Sequence, residues 1–299
     1  METLSSSAQP EIMPEYKPKV LFPEVEDPAV VALRKEYSEN DLDGVDLKFD
    51  DVSLEDAAKM LKNGEVDVVI AGVAHDTPTV LRTAIQHITK EAEPDKEKRK
   101  KITSFFVMER DGEEPIFFAD CAVHEYPDSD TLVTIAEQTT ESVKHLGYEP
   151  TVAFLSLSTF GSASHLESVQ KVKNAADAFK EKHPEIVSYG EIQFDAAMNP
   201  AIFEKKAKKA GIELVDGKLP NVFIFPDGVS GNIVYKAVEQ TAGYTAIGPL
   251  LDGTYKDIHD SSRGATPQAL AREAYYAAQL FLARKQAQES GQKDLPLAA

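Results

Sequence analysis

Apolar positions along the chain fall into two alternating patterns. Short runs rich in β-branched and aromatic residues predict strands at Val20 to Phe22, Val45 to Phe49, Val66 to Ala71, Ser104 to Met108, Ile116 to Ala119, Val152 to Leu157, Val222 to Phe225 and Thr245 to Ile247. Between them, apolar residues recur at helical spacing. Leu166, Val169, Val172, Ala176 and Phe179 make one stripe, and Leu270, Ala274, Ala277 and Phe281 another. Strand, helix, strand in succession predicts the α/β class, with mainly parallel sheet covered by helices. The segments SFFVMER and EPIFFADCAV, joined by DGE, predict a hairpin. EAEPDKEKRKK, residues 91–101, is the densest charge run and predicts a solvated loop where one domain gives way to the next. Residues 1–18, polar and containing proline, predict a loose tail.

Composition narrows the function. With 299 residues the chain makes one large or two ordinary domains. A net charge of −18 argues against a protein whose main task is gripping nucleic acid, which needs cations to replace phosphate counterions. The apolar fraction of 42% excludes wholesale disorder. No apolar run reaches the roughly 18–20 residues that span a bilayer, and the start lacks a basic end followed by an apolar stretch, so no membrane association and a cytoplasmic location are expected. The single cysteine, Cys121, fits a reducing compartment and packs as a small hydrophobe in the simplest reading.

Three turns carry the candidate chemistry, each following a predicted strand and opening a helix. SLSTFGSASH, residues 156–165, brings Ser158, Thr159 and Ser162 beside free helix amides; this pattern fits an anion cradle or ordinary serine capping equally. PDGVSGN, residues 226–232, holds Gly228, Gly231 and Asn232 but no P-loop and no GxGxxG, so nucleotide binding of those kinds is unsupported. HDSSRGATP, residues 259–267, sets Ser262 and Arg263 just ahead of a helix with Thr266 as cap and Pro267 in its first turn. Arg263 and Arg82 are the candidate anion-binding guanidinium groups. HExxH, CxxC and GxSxG are absent, and the seven histidines are scattered, so neither a zinc site nor a hydrolase triad is indicated. His75-Asp76 and His259-Asp260 are neighbours in sequence, expected on loops, and adjacency alone orients no base.

Taken in order, AGVAHDTPTVLR, FFADCAVHEYPDSDTLVTIAEQT, EPTVAFLSLSTFGSA, IQFDAAMNP, NVFIFPDGVSGNIVYK, AIGPLLDG and HDSSRG resemble the phosphate acetyltransferase and phosphate butyryltransferase family, from about Val66 to Leu282. The C-terminal region of large malic enzymes looks like the same fold but lacks the SRG element. The resemblance implies two α/β domains with a cleft between them. The first comprises 1–105 plus 257–299, with the last helix returning to it, and the second 106–256. It implies a homodimer that interconverts acyl-CoA plus phosphate with acyl phosphate plus CoA, with acetyl or butyryl as the acyl group. CoA is then a substrate, and no cofactor or metal is expected. On this sequence Ser262 matches the family serine that stabilises the transition state, Arg263 the arginine beside it and Arg82 a phosphate-binding arginine. Ser158, Thr159, Ser162 and Asn232 complete the expected substrate-binding set. Three departures stand out. The family's acidic residue falls at about Ala269, with Glu273 one helical turn further on; Phe160 stands where the family has Lys; and the stretch between Tyr37 and Val66 is short, with nothing aligning Arg34 or Lys35 to a missing arginine. The alternative is a catalytically impaired member that binds acyl-CoA as a regulatory module.

Overall fold

A computed structural model describes residues 16–37, 42 and 44–290; the expected tail lies outside these as far as residue 15. Two sheets organise the chain. In the first, β1 (Lys19–Phe22), β2 (Asp46–Phe49), β3 (Val68–Ala71) and β10 (Asp257–Asp260) lie in the order β10-β3-β1-β2. All its pairings are parallel, with Val20 opposite both Leu47 and Val68, and His259 opposite Ile70. The second sheet takes β4 (Thr103–Glu109), β5 (Ile116–Ala119), β6 (Thr151–Leu155), β7 (Val187–Ile192), β8 (Val222–Ile224) and β9 (Thr245–Asp252) in the order β7-β6-β8-β5-β4-β9. The pairings from β7 to β5 are parallel, whereas β4 runs antiparallel to both its neighbours. The expected hairpin is therefore β4 and β5.

Local chemistry sets the helix boundaries. For α1 (Pro28–Tyr37), Val30 and Leu33 supply the buried side. The helix α2 (Leu54–Asn63) starts where the Ser53 hydroxyl accepts from the Asp56 amide and stops at Gly64, whose φ of 75° suits a residue without Cβ. Asp76 caps α3 (Thr77–Ala84) by accepting from the Thr79 amide. In the second sheet's layer, Asp128 caps α4 (Ser129–His145), and α5 (Glu167–Lys182) buries Val169, Val172, Ala175, Ala176 and Phe179. Leu166, expected inside that stripe, is instead the residue just before the helix. Asn199 caps α6 (Pro200–Ala207) and Asp227 caps α7 (Gly228–Ala242). The last helix, α8 (Pro267–Glu289), begins as the sequence predicts, with the Thr266 hydroxyl accepting from Ala269 and proline in the first turn.

Packing ties the layers together. Phe118 sits edge-on to Phe223 and Phe225 at centroid distances of 5.5 and 5.3 Å, and to Phe194 at 6.0 Å. Helix α8 lies against β1, β3 and β10 of the first sheet and against β9 and α4 of the second. The residue with most to hold there is Arg284. It reaches Asp257 at the start of β10 and, at 2.6 Å, Asp252 at the end of β9, so one guanidinium clamps both sheets.

Candidate active site

The carboxyl ends of β3 and β10, adjacent and parallel, deliver their following loops to the same edge of the first sheet. Ligands of open α/β sheets bind at such an edge. Gly72 and His75 of the first loop with Thr77 at the start of α3, and Asp260 at the end of β10 with Ser261 to Thr266 of the second loop, form one wall of a cavity of about 730 Å³. The opposite wall comes from the second sheet's layer and includes Asn232, Tyr235, Lys236 and Glu239 of α7. Tyr235 is fixed by stacking on Phe106 at 4.0 Å, and Lys236 lies over the same ring at 4.4 Å. The size suits a small-molecule site.

Ser262 and Arg263 stand in this wall where the chain turns into α8. The Ser262 hydroxyl accepts from the Gly264 amide at 3.3 Å and keeps its own proton to donate. Arg263 is exposed and faces a region already biased toward anions, because the positive end of a 23-residue helix opens beside it. Ala269 also lines the cavity, so a methyl group occupies the place where a carboxylate was sought. Asn232 is anchored by donating to the Cys121 carbonyl at 3.1 Å. Cys121 itself is buried; burial first, and then Asp120, raise its thiol well above the ordinary range, which leaves it no role as a nucleophile.

Arg82 is exposed on α3 and is not among the residues lining the cavity, although it and Arg263 share a neighbour. Asp76, at the start of α3, is held below the usual carboxylate range by its hydrogen bond from Thr79 and, more weakly, by the charges of Arg82 and Arg263. Of the hydroxyl residues in 156–165, Ser158 and Thr159 are buried while Ser162 is exposed. Ser158 donates to Glu191 at 2.8 Å and accepts from the Ala163 amide; Thr159 donates to Gln193 at 3.1 Å; the Ser162 hydroxyl accepts from the Thr159 amide at 3.0 Å. None of the three lines the cavity. Phe160, at φ 47°, packs edge-on to Phe203 at 5.9 Å.

Two acidic groups emerge that sequence reasoning passed over or placed elsewhere. His259 and Asp260 belong to β10, not to a loop, and both are buried. Burial pushes the Asp260 carboxyl up to about 7; the Thr77 hydrogen bond and Arg263 pull against that, while Glu24 and Asp76 reinforce it. One Asp260 oxygen accepts from Thr77 at 2.6 Å and the other, buried, has no partner. Glu273 lies behind Ser261, which donates to it at 2.7 Å, and burial raises its carboxyl. His259 accepts from the Leu251 amide and burial drives it down to about 3, so it stays neutral. The signal for Asp260 was available: an acidic residue ending a strand that leads directly into SSRG.

The family model described as phosphate acetyl/butaryl transferase matches residues 46–278, most of the chain and every cavity-lining residue named above. The chain belongs to this phosphate acyltransferase family. It is 41% identical over 209 residues to the phosphate acetyltransferase of Bacillus subtilis, covering 70% of this chain and 61% of that relative. To the phosphate acetyltransferase of Clostridium acetobutylicum it is 41% identical over 218 residues, 71% of this chain and 62% of the relative. The chain thus spans about three fifths of the length of these curated relatives. Among solved structures it is similar to a phosphotransacetylase from Streptococcus pyogenes, with a TM-score of 0.70 at 27% identity over 89% of this chain and 94% of that one. The EutD phosphotransacetylase from Staphylococcus aureus gives 0.68 at 27% identity, over 90% and 94%. In the family frame the SRG element is the loop joining β10 to α8. Among the described residues no helix is long and apolar enough to cross a membrane.

Proposed function

We propose that this chain catalyses acyl transfer between CoA and inorganic phosphate, acyl-CoA plus phosphate interconverting with acyl phosphate plus CoA. The observation that carries the reading is the pairing of Ser262 and Arg263 on one loop, at the head of α8, in the wall of the large cavity. A phosphate oxygen attacks the thioester carbonyl, the carbon becomes tetrahedral and negative charge collects on its oxygen. A hydroxyl donor and a guanidinium beside a helix N-terminus are the groups such charge requires. Asn232 and Lys236 on the facing wall supply a polar and a cationic contact for the remainder of the substrates, and Arg82, whose charge acts on Asp76 together with that of Arg263, adds positive potential. Ser158, Thr159 and Ser162 contribute by fixing the shape of their loop. We assign the acyl group to the acetyl class, on the strength of the relatives named phosphate acetyltransferase at 41% identity, and expect a cytoplasmic homodimer of two-lobed subunits, 1–105 plus 257–299 and 106–256, with CoA as substrate and no resident cofactor or metal.

The test is release of free thiol from acetyl-CoA by the purified protein. Release that depends on phosphate and falls roughly 10²–10³-fold in Arg263→Ala is expected. Tight acetyl-CoA binding without turnover would replace the transferase with a binding module.

A further inference from the structure

Thiol chemistry at this cavity needs a proton acceptor, and most of the titratable side chains around it are enclosed or engaged by their surroundings. Ala269 has no titratable group. Glu273 is enclosed behind Ser261. Asp260 has one oxygen engaged by Thr77 and the other sealed from solvent. On the opposite wall Glu239 accepts from the Ala246 amide, and no second side chain orients it. His75 differs in being held by another side chain. Its ring lines the cavity, its side chain is 42% exposed, and its Nδ1 lies 2.5 Å from Oε1 of Glu24.

Glu24 is held with unusual completeness. The loop after β3 wraps its carboxylate so that the amides of Gly72 and Val73 donate to Oε2 at 2.9 Å each, and those of Ala74 and His75 to Oε1 at 3.2 and 2.9 Å. Four backbone amides already converge on its two oxygens, so toward His75 as well the carboxylate serves as an acceptor. The bond to His75 runs from Nδ1–H to Glu24, and the tautomer that makes this bond carries its lone pair on Nε2. Among the described residues Nε2 has no hydrogen-bond partner. A buried carboxylate orienting a cavity-lining imidazole whose other nitrogen is unengaged is the working half of a general-base arrangement.

We propose that His75 is the proton-transferring catalytic residue of this chain, with Glu24 as its positioning residue; the inference rests on the acyl-transfer reading above. When CoA attacks an acyl phosphate, the S–C bond forms, the C–O bond to phosphate breaks, the thiol proton passes to Nε2, and the imidazolium returns it to the departing phosphate. In the other direction the attacking phosphate gives its proton to Nε2, which hands it to the departing thiolate. No further reactant is needed.

The experiment compares wild type, Ser262→Ala, His75→Ala and His75→Asn in phosphate-dependent cleavage of acetyl-CoA. Expected for His75→Ala is a fall in kcat of roughly 10²–10⁴-fold with KM for both substrates little changed, partly restored by added imidazole. His75→Asn keeps a donor for Glu24 and so tests the same loss if the alanine variant folds poorly. Glu24→Gln is expected to lower kcat in wild type but not further in the His75→Ala background, a non-additivity that a purely structural role would not produce. If Ser262→Ala is inactive while His75→Ala and His75→Asn retain kcat within about threefold, the assignment of His75 is overturned and the transferase reading stands. If wild type itself fails to turn over, both are overturned.

Discussion

Asp260 couples its ionisation to the stability of the fold. Its carboxyl is raised in the folded protein to about 7 from an ordinary 3.8, so between those values the native state binds more protons than the unfolded chain. Stability contributed by the protonated form is present at low pH and is lost as pH rises toward 7. Asp260→Asn, which cannot ionise, is accordingly expected to gain stability relative to wild type across that window, by a few kcal/mol in all, in urea unfolding measured at successive pH values. An unchanging difference between the two proteins would refute the raised value. Gly72, opposite Asp260, has φ 107°, and a Cβ there would overlap Asp260 Oδ1 and come within 2.8 Å of the Ser261 backbone. Gly72→Ala should therefore cost about 2–4 kcal/mol, the sum of backbone strain and overlap, read from the same unfolding curves.

The strand β5 illustrates what the apolar pattern can and cannot deliver among the elements. Phe118 is fully buried among three aromatic rings, so Phe118→Ala is expected to cost about 3–5 kcal/mol in denaturant unfolding, with the enclosed cavity setting the upper end. Strands of this kind, apolar on both faces, were legible because both sides of the sheet are covered. Two strands escaped. β7 reads VSYGEI and lies at an edge, where Ser188 and Gly190 remain only half-buried, and β10 reads DIHD, polar by composition although all four residues are buried. Their membership comes from pairing partners distant in sequence, which periodicity does not encode. The same limit applied to the site. The positions of Ser262 and Arg263 just ahead of a capped helix were readable from the turn motif, whereas Asp260 acquires its raised carboxyl from the burial of β10 and from Glu24. His75 acquires its own from Glu24, 51 residues away. The hydroxyl-rich turn at 156–165 was ambiguous in sequence, and its hydroxyls are taken up largely by Glu191, Gln193 and amides of the turn itself.

At the scale of the molecule, the cavity exists because two sheets are held at a fixed distance, and Arg284 is central to that. Burial lifts Asp252 to about 6 and Asp257 likewise upward, while the Arg284 charge opposes both shifts. Removing the guanidinium strands two buried carboxyls, so Arg284→Ala should destabilise by about 3 kcal/mol and, by loosening the relation between β9 and β10, also weaken catalysis. Arg284→Lys, a single point charge, should recover only part of the loss because one ammonium cannot bridge two carboxylates as a planar fork does. The two walls of the cavity come from different sheets, one carrying the SRG loop and His75, the other Asn232 and Lys236, so the proposed reaction requires the assembled molecule rather than either sheet.

The most direct measurement is the incorporation of labelled inorganic phosphate into acetyl phosphate from acetyl-CoA. One labelled acetyl phosphate is expected for each CoA released by wild type, with the rate lowered roughly 10²–10³-fold in Ser262→Ala. Release of CoA without incorporation of label, or a Ser262→Ala protein as fast as wild type, would contradict it.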